Sequence, residues 1–307
     1  MARCFVTRQL PGRALDRLRA EHEVDVWPER LPPSRLELIE HAATAQGLLS
    51  LLTDRIDGDL LIDCPELRAI ANYAVGYDNI DVTAARMRDI QVGNTPDVLT
   101  DATADLTFAL LMAAARRLPE AAASVTAGDW VTWEPAGFLG QDVHGATLGI
   151  IGMGRIGRAV AQRAGGFDME VIHTGRDGVT LTELLERSDY VSVHCPLTPQ
   201  TRHMIDGAAL ARMKPTAILI NTARGPIVDQ GALTRALSEG VIAGAALDVT
   251  DPEPPHREDP LLETPNLVLV PHIGSATHTA RERMADICVD NLLAALAGEQ
   301  MPYAVSA

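Results

Sequence analysis

Short apolar runs separated by stretches of helical spacing open the chain. The runs are Cys4-Phe5-Val6, Val24-Asp25-Val26, Gly47 to Leu52, Ala69 to Val75 and a weaker Gln91-Val92. Between them, Gly12 to His22 and Ser34 to Ala42 carry apolar residues at helical intervals, which is the pattern of βαβ units and a parallel sheet. A second series starts at Thr147 to Ile151. It continues through Glu170 to His173, Tyr190 to Cys195, Ala217 to Ile220, Gly244 to Val249 and Leu267 to Val270. Six strands with helical links have the size of a doubly wound, dinucleotide-binding sheet. Leu99 to Arg117, rich in Ala and Leu, reads as one long helix between the two series. Thr277 to Leu296 reads as another, long enough to return to the first unit. The class is α/β, with two doubly wound parallel-sheet domains: residues 1–96 with 280–307, and residues 97–279.

Length agrees with this division, because 307 residues exceed what one core usually fills. Apolar residues at 47% and charged residues at 22% describe an ordinary globular chain. The net charge of −15 repels nucleic acid and anionic membranes, so neither is expected as a partner. A small anionic substrate stays compatible, since a local cluster of backbone N–H groups and one arginine overrides the average field. Cys4, Cys64, Cys195 and Cys288 show no Cys-x-x-Cys spacing, and the histidines no ligand spacing, so no metal site or disulfide framework is expected. The first residues lack a signal peptide's apolar core, and the longest apolar stretch, around Phe108 to Ala115, is too short to span a bilayer. A cytoplasmic protein is expected.

After the strand Leu148 to Ile151 comes Gly152-Met153-Gly154-Arg155-Ile156-Gly157, followed by a good helix start at Arg158. Glycines at this spacing give a tight turn, let the backbone approach a pyrophosphate and let the helix pack on the strand, while the helix N-terminus offers unpaired N–H groups to the phosphates. A lone glycine motif is weak evidence; the strand before it and the helix after it make the dinucleotide reading the better one. The end of the next strand decides between cofactors, because a carboxylate there binds ribose hydroxyls and an arginine accepts a 2′-phosphate. Here Thr174-Gly175-Arg176 puts glycine at the acidic position and arginine beyond it, which favours NADP(H). NAD(H) stays open, because a small shift of register puts Asp177 on the ribose.

Three polar residues follow three separate strands: Arg224, Glu253 and His272. Carboxyl ends of parallel strands share one edge, so these residues are expected to converge there. Their types suit reduction of a carbonyl by hydride: arginine holds a carboxylate bidentately, and an imidazolium protonates the carbonyl oxygen. A neighbouring carboxylate favours the imidazolium form, and Glu253 is the candidate. Singly, each reads as an ordinary loop residue; three at matching strand ends beside a cofactor loop read as a site.

The stretches Gly149 to Gly157, Asn221 to Gly225, Ala246 to Val249 through Glu253-Pro254, and Pro271 to Thr277 resemble the D-isomer-specific 2-hydroxyacid dehydrogenase family over almost the whole chain. Within it, Thr174-Gly175-Arg176, Trp133-Glu134-Pro135 and Gly298 to Pro302 are most similar to NADP-dependent glyoxylate/hydroxypyruvate reductases. The resemblance implies a flavodoxin-like substrate domain beside a Rossmann cofactor domain. It implies Arg224 as substrate anchor, Glu253 as partner of the acid/base His272, and Asp248 near the nicotinamide. Backbone groups of Val75 and Gly76, with Leu51 nearby, are implied for the substrate carboxylate. Thr103, Cys195, Pro196, Thr201, Thr222, Ala223, Gly274 and Ser275 fall at cofactor-contacting positions. Trp133 matches a residue that enters the partner's active site, which implies a homodimer formed through the segment near 104–144. The other readings are an NAD-dependent relative acting on phosphoglycerate, D-lactate, a sugar-derived 2-keto acid or phosphite, and a dinucleotide-sensing binding protein without turnover. The link from Arg176 to Glu183 is shorter than relatives usually have, so a strand and helix beside the adenosine pocket are expected to be truncated.

Overall fold

A computed structural model describes residues 1–305, and the two C-terminal positions assigned above to the first domain, 306 and 307, lie outside the described residues. The chain divides into two compact units, Met1–Leu99 with Ala276–Ala307, and Thr100–Ser275.

The first unit runs β1 (Arg3–Val6), α1 (Ala14–Glu21), β2 (Glu23–Val26), α2 (Arg35–Ala42), β3 (Gly47–Ser50), α3 (Gly58–Asp63), β4 (Ala69–Asn72), α4 (Val82–Arg86) and β5 (Gln91–Gly93). Its sheet is parallel throughout, in the order β2-β1-β3-β4-β5, the flavodoxin-like arrangement. Helix starts are marked by side chains that accept otherwise orphaned N–H groups: Ser34 with Glu37 forms a capping box on α2, and Asp57 and Asp81 cap α3 and α4. Phe5, Leu48 and Ile70 from the sheet meet Leu38, Leu60 and Leu61 from the helices in one core.

The second unit runs α5 (Thr100–Ala115), α6 (Leu118–Ala127), β6 (Thr147–Ile151), α7 (Arg155–Ala164), β7 (Glu170–His173), α8 (Leu181–Arg187), β8 (Tyr190–Val193), α9 (Gly207–Leu210), β9 (Ile218–Asn221), α10 (Gln230–Ser238), β10 (Gly244–Leu247) and β11 (Leu267–Leu269). The order is β11-β10-β9-β8-β6-β7, again all parallel. Both faces of this sheet are covered. Leu148, Ile150, Ile218 and Ile220 face α5 and α7, while Ile151, Val191, Val193 and Leu219 face α8 and α10. Burial on both faces is why the strands read as unbroken apolar runs. The chain then returns through α11 (His278–Leu296), which packs on α1, β3 and β4 of the first unit.

Several strands stop short of their apolar runs. Gly47 to Leu52 ends as a strand at Ser50, Ala69 to Val75 at Asn72, Tyr190 to Cys195 at Val193 and Gly244 to Val249 at Leu247. Residues beyond those ends, such as Tyr73, Ala74 and Val249, are buried although they lie outside the strands, so hydrophobicity persists past the strand ends. The expected helix Leu99 to Arg117 is α5, ending at Ala115, and Arg117, with a left-handed φ of 51°, then precedes α6. Pro119 in the first turn of α6 has no N–H to continue the earlier helix. Beyond β7 no further strand pairs among the described residues, whereas the usual dinucleotide-binding order places a third strand there. Instead Thr174 to Thr180 turns straight into α8: the amide of Val179 donates to His173 O at 2.9 Å, and Thr180 caps the helix by accepting from the Glu183 amide. Among the described residues no helix is long and apolar enough to cross a membrane.

Candidate active site

The carboxyl edge of the second sheet collects most of the residues singled out from the sequence. The glycine loop leaves β6 with Gly152 at φ +97°, where an added Cβ would lie 2.7 Å from the amide nitrogen of Cys195. A Cβ on Gly157 would lie 2.3 Å from the carbonyl oxygen of Gly152, so α7 sits on the loop as only glycine allows. At Gly154, by contrast, a Cβ would meet nothing within 4 Å. Two glycines are closed by the protein itself and the middle one opens outward at the start of a ten-residue helix, the cradle that a pyrophosphate fits. Thr174 joins the loop by accepting the Gly152 amide through Oγ1 at 3.2 Å. Gly175, Arg176 and Asp177 stand exposed on the turn that follows, and among the described residues the Arg176 side chain has no hydrogen bond or ion pair.

On the neighbouring strand ends, Thr201 donates to Pro196 O at 2.7 Å and folds the loop after Cys195. Thr107 donates to Thr103 O, so the 3.0 Å contact between the Thr107 and Thr222 hydroxyls takes its hydrogen from Thr222. Thr103 in turn donates to Gly274 O at 3.2 Å. These bonds run from α5 to the loops after β9 and β11, the region in which Ala223, Gly274 and Ser275 lie.

Arg224 is held by its backbone. Asn221, the last residue of β9, donates through Nδ2 to Arg224 O at 2.9 Å and accepts the Ala223 amide on Oδ1 at 3.0 Å. The next residue, Gly225, lies so close to the loop after β10 that a Cβ would come within 1.9 Å of Thr250 O. The segments carrying Arg224 and Glu253 are thereby packed backbone to backbone. His272 follows β11 with a left-handed φ of 50°, a conformation that costs a non-glycine residue about 1–3 kcal/mol. Asp248 offsets that cost. Its carbonyl accepts the His272 amide at 2.9 Å, and its carboxylate accepts the amides of Ile273 at 2.6 Å and Gly274 at 2.8 Å. Burial pushes the Asp248 carboxyl above its ordinary range, while those amides and the adjacent His272 pull the other way.

The His272 side chain meets Glu253: Nδ1 and Oε1 are 2.5 Å apart. With Nδ1–H given to the carboxylate, Nε2 is left as the nitrogen that exchanges a proton. Both side chains are partly solvent-exposed, so a proton can be replenished. The edge therefore joins an oriented, carboxylate-backed imidazole, a backbone-anchored arginine and a phosphate cradle. That set can bind an anion next to a dinucleotide and protonate an oxygen.

Leu51, Val75 and Gly76 lie in the first unit, in the loops after β3 and β4. Trp133 lies between α6 and β6, 79% exposed. Sequence reasoning missed Asn221 and Thr107, which touch the backbone of the site, and His194, whose Nε2 is 2.8 Å from Ser192 Oγ at the end of β8. Burial lowers His194 to about 4, leaving its ring neutral near pH 7. The available signal was a polar residue closing an apolar run, as in Leu219-Ile220-Asn221.

Known proteins share this organisation. Residues 108–274 match the model of the D-isomer specific 2-hydroxyacid dehydrogenase, NAD binding domain. A protein of Korarchaeum cryptofilum named glyoxylate reductase is 51% identical, across 99% of this chain and 96% of its own. That alignment spans 317 positions, more than the 307 residues of this chain, so the relative carries residues absent here. Among solved structures, the TT0316 protein from Thermus thermophilus superposes with a TM-score of 0.94 at 49% identity, covering 99% of this chain and 100% of that one. An NADPH-dependent glyoxylate/hydroxypyruvate reductase from Sinorhizobium meliloti, in complex with NADP and malonate, gives 0.88 at 34% identity, covering 99% and 97%.

Replacing Gly157 by Ala is expected to weaken binding of a nicotinamide dinucleotide about tenfold or more, read by fluorescence titration, because the new Cβ meets the Gly152 carbonyl. His194 gives a pH dependence of stability. Its folded value lies below the 6.5 of the free side chain, so the unfolded chain binds the extra proton, and stability falls as pH drops from 6.5 towards 4. Denaturant midpoints should show His194→Gln losing less than the parent over this window, by about 1.4 kcal/mol per pH unit. Parallel curves would refute the assignment.

Proposed function

This chain belongs to the D-isomer specific 2-hydroxyacid dehydrogenase family, a family of oxidoreductases that use a nicotinamide dinucleotide, and we propose that it reduces small 2-keto acids, glyoxylate and hydroxypyruvate, to 2-hydroxy acids with NADPH. The 2.5 Å contact of His272 with Glu253, on the same sheet edge as the glycine cradle, carries this reading. Gly152, Gly154, Arg155, Ile156 and Gly157 would hold the pyrophosphate, with Thr103, Thr174, Cys195, Pro196, Thr201, Thr222, Ala223, Asp248, Gly274 and Ser275 around the rest of the dinucleotide. When bound, the dihydronicotinamide supplies a hydride to the keto carbon.

The protein's own part is orientation and proton transfer. Arg224 takes the substrate carboxylate as a fork of two N–H donors, which fixes the carbonyl. His272 gives the proton on Nε2 to the carbonyl oxygen as that oxygen gains charge, so the product leaves as an alcohol and the imidazole is left neutral. Glu253 stabilises the imidazolium before transfer and holds the ring tautomer that presents Nε2. On the first unit, the amides of Val75 and Gly76, with Leu51 beside them, are assigned to substrate binding.

NADPH is favoured by Arg176, an exposed cation with no partner among the described residues immediately after β7. Asp177, exposed on the same turn, is what supports NADH as the competing reading. The segment around α6 supports a homodimer. No residue of α6 is buried, and Val131 and Trp133 beyond it are 88% and 79% exposed, a row of large apolar groups that a second copy would cover.

Steady-state rates on a panel of 2-keto acids with each cofactor test the reaction. The expected result is highest kcat/KM for glyoxylate or hydroxypyruvate with NADPH, and loss of about 1,000-fold or more in kcat for His272→Ala with dinucleotide binding kept. A preference for NADH removes the Arg176 assignment, and wild-type-like turnover by His272→Ala removes the mechanism. A protein that binds dinucleotide without turning over any keto acid would be a sensor. Light scattering should give twice the mass of one chain, falling to one chain in Val131→Glu.

A further inference from the structure

Two loops of the first unit, Leu51 to Asp57 after β3 and Tyr73 to Asp81 after β4, are closed onto each other by side-chain amides. Asn72, the last residue of β4, is fully buried, and a buried amide needs partners for two donors and two acceptor sites. It finds them all. Nδ2 donates to Gly76 O at 2.9 Å and Asn79 Oδ1 at 3.1 Å, and Oδ1 accepts from Ser50 Oγ at 3.2 Å and Asn79 Nδ2 at 3.3 Å. The two hydrogens of Asn79 Nδ2 are shared between Asn72 and the other loop, where the nitrogen lies 3.1 Å from Leu51 O and 3.0 Å from Asp54 O. Asp54, itself buried, accepts the Leu51 amide on Oδ2 at 2.7 Å and a hydrogen from Thr7 Oγ1.

A third amide completes the set. Asn94 donates to Val75 O at 2.7 Å, and its own carbonyl is met by Nδ2 of Asn291 in α11. The amide of Thr95 donates to Ala74 O at 2.9 Å. Three consecutive carbonyls, Ala74, Val75 and Gly76, are thus each tied to a donor. In a trans peptide the N–H points opposite to the C=O of the same plane. Fixing those carbonyls therefore turns the N–H groups of Val75, Gly76 and Tyr77 away from their anchors, and among the described residues nothing accepts the first two. An outward row of main-chain donors is the arrangement that receives an anion.

We propose that Asn72, Asn79 and Asn94 are positioning residues for substrate binding, which aim the Val75 and Gly76 amides by holding the carbonyls of Leu51, Val75 and Gly76. This rests on the assignment of those amides to the substrate carboxylate. The three asparagines do not touch the reacting atoms, so their loss acts on keto-acid affinity and leaves the chemical step and the dinucleotide alone.

Asn79→Leu and Asn94→Leu keep the side-chain shape and add no charge while removing the donor. Expected is a rise of about tenfold or more in KM for glyoxylate, with kcat within about threefold and KM for NADPH unchanged. Asn94→His, which keeps a donor nitrogen at the δ position, should recover most of the affinity. A glyoxylate KM within twofold of wild type, equal losses in the Leu and His variants, or an equal rise in KM for NADPH would overturn the proposal. Should the Leu variants fail to fold, Ser50→Ala removes a single bond to Asn72 and should raise KM about threefold with the same selectivity; no rise overturns it. Oxalate binding to the protein–dinucleotide complex separates this idea from the reaction assigned above. If the wild type binds oxalate but reduces no keto acid, the activity fails while a tenfold weaker Kd in the asparagine variants sustains the positioning role. A wild type that binds no oxalate and reduces no keto acid overturns both.

Discussion

Strands of both sheets end on buried polar side chains, and satisfying those side chains shapes the loops beyond. Ser50, Asn72 and Asn221 close β3, β4 and β9, and Asp248 follows β10; none is more than 1% exposed. An unpaired polar atom at such a depth costs about 1–3 kcal/mol. For Asn72, Asn221 and Asp248 the partners include backbone groups of the loops leaving the same sheet edge, so these residues grip those loops, while Ser50 bonds to the Asn72 side chain. Asn221 fixes the backbone of Ala223 and Arg224, Asp248 that of His272 to Gly274, and Asn72 that of Gly76. These hydrogen bonds tie the loops to the strand ends.

The same requirement separates the two carboxylates near His272. Asp248 gives both oxygens to main-chain amides and is buried, so it acts on the histidine through backbone conformation. Glu253 lies on the exposed side and gives Oε1 to the ring itself. One carboxylate sets where the imidazole stands, and the other sets which nitrogen carries the exchangeable proton. In a chain of net charge −15, the main-chain amides opposite Asp248 offset part of its charge.

Much of this was legible in the sequence, for identifiable reasons. Strands buried on both faces give continuous apolar runs, so the two sheets and the strands bearing Arg224, Glu253 and His272 could be read off directly. Strand ends could not, because Tyr73 and Val249 stay buried beyond them. The separate helix α6 beyond Arg117 was not legible, because its Ala-rich sequence continues the composition of α5. Pairings such as Asn79 with Leu51, or Asn94 with Val75, join residues whose proximity depends on strand order. Sequence shows the polar residue at the strand end and withholds its partner.

The cofactor's far end obeys a different rule. The phosphate cradle is enforced sterically, since two of its three glycines admit no Cβ. Beyond β7, by contrast, the sheet stops, and the chain turns through Thr174 to Thr180 into α8 without a further strand to wall the space. On the reading proposed above, discrimination between a ribose hydroxyl and a 2′-phosphate falls on exposed side chains of that turn, Arg176 and Asp177, and such charges act through solvent and are screened by salt over about 8 Å at physiological ionic strength. A walled pocket selects by shape as well as charge; an open turn has charge alone. The loops at this sheet edge are therefore set by packing and buried hydrogen bonds, whereas the turn after β7 presents two exposed neighbouring residues of opposite sign.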